Sequence, residues 1–169
     1  MLGRIDRIEM HIDSYIREGI LLRDLRMNLE DVNVTILSPL WGDLEGGIQR
    51  ASLVAEVPEE SINEYLRENE LGLVGGEIDV RPQEVIYRDA YALFGLPASV
   101  GLDLGVVGLY TVELVPEEVK VGGFTPPPFL TEPLASGGRR LNLSELPLGT
   151  ELVSVESSSE NALIVRAEK

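Results

Sequence analysis

A chain of 169 residues with 44% hydrophobic and 25% charged side chains is long enough to bury a core and too apolar to remain disordered. Asp and Glu number 29 against 14 Lys and Arg, and the net charge of −15 repels nucleic-acid phosphates and anionic lipid surfaces alike. No cysteine is present, which excludes disulfides, thiolate metal sites and a cysteine nucleophile, and no signal-peptide pattern or run of eighteen apolar residues appears.

Alternation of apolar and polar residues dominates from the first residues onward. "RIEMHID" places Ile8, Met10 and Ile12 on one face of a strand, although Ile5, Ile8, Ile12 and Ile16 also fit a helical stripe. "LRMNLEDVNVTI" sets Leu25, Met27 and Leu29 on one face, then Val32, Val34 and Ile36 after a one-residue shift, as a bulge or a pair of strands would require. Further strands are predicted at 49–57, 77–81, 84–94, 100–115 and 119–122. The stretch 100–115 is long for one strand and holds three glycines, so it is expected to bend around something.

One amphipathic helix stands out in "VPEESINEYLREN". Pro58, Glu59 and Glu60 suit its first turn, and Ile62, Tyr65, Leu66 and Leu71 give it an apolar face. A second short helix is predicted over 128–135, ended by Gly137 and Gly138. "VPEE" recurs at 115–118, where it leads into "VKVGG" and reads as a turn between strands. The final "ELVSVESSSENALIVRAE" reads as a hairpin with its polar turn over 157–161. The fold class expected is α+β, mainly β: curved antiparallel sheets of long strands with one or two short helices, in a single domain spanning 1–169.

The residues that carry chemistry are few. His11 is the only histidine and falls on the polar face of a strand, so a histidine triad and a multi-histidine metal site are excluded by count. "PASVG" around Ser99 has proline where a nucleophile elbow needs glycine, and the glycine pairs fit neither a phosphate loop nor a dinucleotide fingerprint. Carboxylates are abundant; Glu59 with Glu60, or Asp103 with Glu113, could be drawn as an acid and base pair, but no spacing singles one out. Arg139 and Arg140 would point to opposite faces of a strand, and Trp41 stands alone in a turn-rich stretch as a core plug or an interfacial anchor. No catalytic residue, metal or cofactor is therefore expected.

"GFTPPPFLTEPLASGG", residues 123–138, is apolar and stiffened by four prolines within an otherwise acidic chain. Proline presets an extended shape where no ladder hydrogen bond is needed, as at a rim. The pattern alone leaves two readings open: a lid over an apolar groove, or a plug that fills one end of a β core.

The ends of the chain resemble the LmeA-like phospholipid-binding family. "LGRIDRIEMHID" and "GILLRDLRMNLEDVNV" look like its early alternating strands, and "VPEESINEYL" looks like its short helix, with Asn63 and Leu66 matching an Asn-x-x-Leu step. "LNLSELPLGTELVSVESSSENALIVRAE" is similar to its ending, with Leu146, Pro147 and Gly149 in a Leu-Pro-x-Gly turn. The resemblance implies a fold related to tubular lipid-binding (TULIP) domains enclosing an apolar groove, and phospholipid binding without catalysis in a bacterial cell envelope. It also leads one to expect a preceding helix and a signal or anchor, neither of which these residues show, so a cytoplasmic location stays open.

The function expected is the binding of a phospholipid or other acyl-chain lipid, for transport or maintenance of envelope lipids, with transient membrane contact and no nucleic acid. Candidate lipid-binding residues are Ile36, Trp41, Ile62, Leu66, Leu102, Leu104, Val107 and Leu109, with Phe124, Phe129, Leu130 and Leu134 as the lid. The alternatives are an acidic interaction module with a filled core and a hydrolase built on two carboxylates.

Overall fold

The computed structural model describes residues 2–35, 47–68, 76–93, 95–135, 139–143, 146–157 and 161–169. Two five-stranded antiparallel sheets face one another. The first contains β1 (Leu2–Arg17), β2 (Ile20–Thr35), β3 (Ile48–Pro58), β9 (Glu151–Ser157) and β10 (Ala162–Glu168), in the order β1-β2-β3-β10-β9. The second runs in chain order through β4 (Gly76–Arg81), β5 (Glu84–Leu93), β6 (Leu96–Val107), β7 (Thr111–Val121) and β8 (Arg139–Asn142). The helices are α1 (Glu59–Glu68) and α2 (Pro128–Ala135). The mainly β, antiparallel, two-helix reading of the sequence is what the molecule is.

The long hairpin of β1 and β2 keeps one register from Leu2↔Thr35 to Arg17↔Ile20, yet its ladder skips Asp6 opposite Asp31 and Asp13 opposite Asp24. At both skips the β2 aspartate has a left-handed backbone, with φ 48 at Asp24 and φ 55 at Asp31. Aspartate tolerates that region better than most residues because its short side chain can bond locally. Each skip reverses which face the following residues present. The buried set of β2 therefore runs Ile20, Leu22, then Leu25, Met27, Leu29, then Val32, and the strand stays apolar-inward while it bends. The shift predicted in "LRMNLEDVNVTI" is thus a kink inside one strand at Asp31. Ile36, beyond it, lies outside the described residues.

Each kink carries its own polar partners, an arginine among them in both cases. Asp24 accepts from Arg26 at 2.7 Å and lies 2.7 Å from His11 Nε2. Asp31 pairs with Arg4 and with Arg50, the latter at 3.4 Å. Hydrogen bonding to these partners holds both carboxyls below the ordinary aspartate value.

Helix α1 follows β3 directly. Glu59 and Glu60 occupy its first turn and Arg67 its last, matching the helix dipole at both ends. Its buried residues Ile62, Tyr65 and Leu66 join the core shared by both sheets. Its polar side chains fasten the sheets together. Ser61 Oγ accepts from the Leu21 amide at 2.8 Å, in the first sheet. On β4, the edge of the second, Asn63 Oδ1 accepts from the Ile78 amide at 2.7 Å while its Nδ2 donates to the Ile78 carbonyl at 2.9 Å. Glu59 accepts from the Val80 amide at 2.7 Å. Helix α1 also touches β8, at the far side of the second sheet, so that sheet curls around the helix as a half-barrel.

Two predicted elements differ. The stretch 100–115 is not one bent strand: it breaks at Gly108, whose φ of 66 reverses the chain between β6 and β7. "VPEE" at 115–118 is not a turn but lies inside β7, where Pro116 sits at a register shift opposite Leu102 and so removes no regular ladder bond. Residues 119–121 continue the same strand. The helix predicted in "VPEESINEYLREN" forms over Glu59–Glu68, with Pro58 ending β3 rather than opening the helix. The helix predicted over 128–135 forms, as does the closing hairpin of β9 and β10. Leu71, Phe94, Gly137 and Gly138 fall outside the described residues.

Asn63→Asp should destabilise the fold by about 2 kcal/mol, because the carboxylate still accepts from Ile78 but can no longer donate to its carbonyl. Urea unfolding checks this, and Asn63→Ala should cost at least as much. The kinks predict an acid sensitivity of defined sign. Because the folded pKa values of Asp24 and Asp31 are depressed, their contribution is present above the unfolded value of 3.8 and is lost as pH falls through the lower folded values. In the double variant Asp24→Asn/Asp31→Asn, which keeps residues suited to left-handed φ, this part of the acid transition should disappear from melting curves taken between about pH 5 and 2.

Candidate functional site

The apolar surface that the core leaves partly uncovered runs along β6. Cross-strand partners share a face, so Ala98, Val100, Leu102, Leu104 and Val106 point inward with Val121, Val119, Leu114 and Val112 of β7. Ala98 and Val100 are buried, whereas Leu102, Leu104 and Val106 are only half-buried against the core. Beyond the β6–β7 turn the two sheets meet: the Leu152 amide of β9 donates to the Leu109 carbonyl at 2.7 Å, and the Leu143 amide to the Tyr110 carbonyl at 2.7 Å. Tyr110, Leu148 and Val155 are half-buried against the same core. A half-covered aliphatic seam therefore lies between β6 and the start of β9.

The predicted lipid-binding residues distribute around this seam unevenly. Ile62 and Leu66 are 1% and 4% exposed and belong to the packed core under α1. Leu102 and Leu104 lie in the seam, while Val107 and Leu109 are exposed at its β6–β7 end. Phe124 and Phe129 are exposed at the opposite end of the sheet, and Leu130 is half-buried there. The length of β6 sets these two ends roughly 35 Å apart. Leu134 belongs to α2, with its side chain outside the described residues, as are Ile36 and Trp41. The structure thus joins Leu102 with Leu104, and Phe124 with the start of α2, but does not bring all the candidates together.

At the Phe124 end the chain turns twice. Leu93 pairs with Leu96 where β5 becomes β6, and after β7 the Val121 amide bonds the Phe124 carbonyl at 2.8 Å, with Gly122 donating to the Pro97 carbonyl at 2.9 Å. Helix α2 then packs on β7. Beside these turns lies a cleft of about 350 Å3 lined by Arg88, Ser99, Lys120, Gly122 and Gly123, among others. Arg88, Ser99 and Lys120 form one cross-strand row on the outer face. Sequence reasoning missed this row. Its signal was available: Arg88 and Lys120 stand close before the two longest apolar turns of the second sheet.

The titratable groups have structural partners. Asp103 and Glu113 lie diagonally on the outer face of β6 and β7, and each has a partner of its own: Glu113 bonds Arg140 at 3.0 Å, and Asp103 accepts from the Leu104 amide at 2.9 Å. Glu59 is held by Val80, and His11 by Asp24. Arg139 and Arg140 do point to opposite faces: Arg139 lies opposite Leu114 on the inner side. Among the described residues no group of three His, Asp or Glu could hold a metal ion. A cleft of about 380 Å3 crosses the outer face of β1, β2 and β3, lined by Glu9, His11, Arg26, Asn28, Ser52 and Val54 with Met10 and Met27.

Tyr87 lies on the inner face of β5 and is almost fully buried. Its hydroxyl donates to Asp89 at 3.3 Å, and Gly76 leaves it room: a Cβ there would lie 1.9 Å from the phenol oxygen. Burial first, and the adjacent Asp89 second, push the phenol well above its ordinary value, while Arg139 opposes them.

A family model described as LmeA-like phospholipid-binding matches residues 1–168. No curated protein and no solved structure matches the chain.

Tyr87 predicts an alkaline limit on stability. Its folded pKa is raised, so its contribution is complete below the unfolded value of 10 and is lost as pH rises above it. Tyr87→Phe should flatten the fall in melting temperature between about pH 9 and 11 relative to the parent chain.

Proposed function

The chain belongs to the LmeA-like phospholipid-binding family, and from that premise we propose that it takes up a phospholipid by an acyl chain laid along the seam of β6, without catalysing any reaction. The observation that supports this reading is the half-buried inner row Leu102, Leu104 and Val106. These residues sit on the core face of a central strand, where full burial would be expected of a filled sandwich. The turn that carries Phe124 stands at the other end of β6, beyond the buried Ala98 and Val100, with Arg88, Ser99 and Lys120 on the outer face there. Transport or maintenance of envelope lipids is the role such binding serves.

The energetics favour the acyl chain over the head group. At ~0.8 kcal/mol per buried methylene, a sixteen-carbon chain gains roughly 10 kcal/mol before ordering costs. Arg88 already pairs with Asp79, and Lys120 lies 3.1 Å from Glu118, so a phosphate there exchanges partners rather than gaining new ones. Head-group contacts then set orientation more than strength.

Organic extraction and mass spectrometry of the purified protein should release about one phospholipid per chain. Leu104→Asn, close in size but polar, should lower that content severalfold while circular dichroism stays that of the parent. Absence of lipid from the parent protein, or undiminished lipid in the folded variant, would remove the seam from the proposal.

A further inference from the structure

We infer that the flap end of the second sheet docks on a lipid bilayer, preferring a zwitterionic surface, by inserting Leu96, Phe124 and Phe129. This goes beyond the uptake of a lipid and holds whether or not the seam is occupied.

The three side chains are 50%, 78% and 73% exposed and come from separate segments: the β5–β6 turn, the turn after β7 and the first turn of α2. The Gly122–Pro97 hydrogen bond and the Val121↔Phe124 bridge hold the first two segments side by side. Residues 90–102 and 121–131 contain no charged side chain. In a chain with one residue in four charged, those 24 positions would hold about six charges by composition alone. Their convergence at one end of one sheet leaves a protruding surface that a water-facing protein has no use for.

The nearest cations stand where a bilayer would meet them. Arg88 and Lys120 flank Ser99 in the row just behind the turns, at the depth of lipid phosphates when the apolar tip is inserted. Their partners Asp79 and Glu118 sit farther from the tip, on β4 and on the preceding turn of the β7 ladder. Of the acids at this end, Asp89 lines the cleft beside Arg88 and accepts from Tyr87, Glu77 lies exposed on β4 directly across from Arg88, and Glu132 is exposed on α2. The remaining net charge of −15 stays outside the membrane and opposes approach to an anionic surface. Insertion of apolar side chains is then the driving force, and a zwitterionic interface is the partner that this balance selects.

Flotation of the full chain with phosphatidylcholine vesicles tests the inference. The parent should float with the vesicles, and Leu96→Ser/Phe124→Ser/Phe129→Ser should float at least about tenfold less, since three exposed side chains leave the interface. Leu104→Asn should float as the parent does, which separates docking from lipid uptake. Adding phosphatidylglycerol should weaken flotation at low salt, with recovery as salt is raised. The inference is overturned if the parent does not float, if the triple variant floats equally, if anionic lipid is required, or if Leu104→Asn also stops docking. It is equally overturned if sedimentation shows the parent to be a dimer that the triple substitution dissolves and vesicles leave untouched.

Discussion

Three polar side chains on α1 hold two independent sheets in a fixed relation. A five-stranded sheet with open edges exposes unpaired amides and carbonyls, and two such sheets stacked face to face can slide or pair with other chains. Glu59 and Asn63 remove that freedom at β4 by bonding its outward backbone groups, and Ser61 fixes the same helix to β2. Because Asn63 satisfies both the donor and the acceptor of Ile78, it works as an artificial neighbouring strand. The apolar face of the helix is aimed into the interior by the same anchoring, so Ile62 and Leu66 close the half-barrel from within.

Curvature in the first sheet has a different origin. A strand of sixteen residues with strict alternation would be straight and would lose contact with a curled partner sheet. Asp24 and Asp31 solve this by inverting the side-chain phase twice while Asp13 and Asp6 on β1 follow, so the hairpin turns corners without losing register. Their partners, His11 with Arg26 and Arg4 with Arg50, come from β1, β2 and β3. The kinks are thus pinned from the strands they bend. The single histidine of the chain has a place in this scheme, as a partner of Asp24.

Local patterns made most of the fold legible in the sequence. Alternation located the strands, the Glu-rich start and apolar face located α1, and "SSSEN" marked the last hairpin. The error over 100–115 has a physical cause: Gly101, Gly105 and Gly108 look alike in sequence, and only Gly108 takes a left-handed turn. Site residues were harder. Ile62 and Leu66 have the composition of groove residues and of core residues equally, and what separates them is the far side of α1's anchoring, which involves β4 and β2. The cationic row needed the register of three strands to bring Arg88, Ser99 and Lys120 together. The half-exposure of Leu102, Leu104 and Val106 needed the position of β9, which the chain reaches more than forty residues later.

The distribution of charge ties these observations into one argument. A protein with 29 carboxylates spreads them over outer faces, where Arg and His partners and solvent screen them, and it keeps two turns of one sheet free of charge altogether. Hydration of isolated carboxylates near a low-dielectric phase is costly, so clearing them from one end is a condition for bringing that end close to hydrocarbon. The proline-stiffened flap satisfies the same condition by other means: its backbone is ordered into a turn and a short helix before any contact, which limits the entropy lost when Phe124 and Phe129 leave water. From that tip the aliphatic row of β6 runs through the buried Ala98 and Val100 to the half-buried Leu102, Leu104 and Val106, and the only charged side chain on the way, Asp103, faces outward.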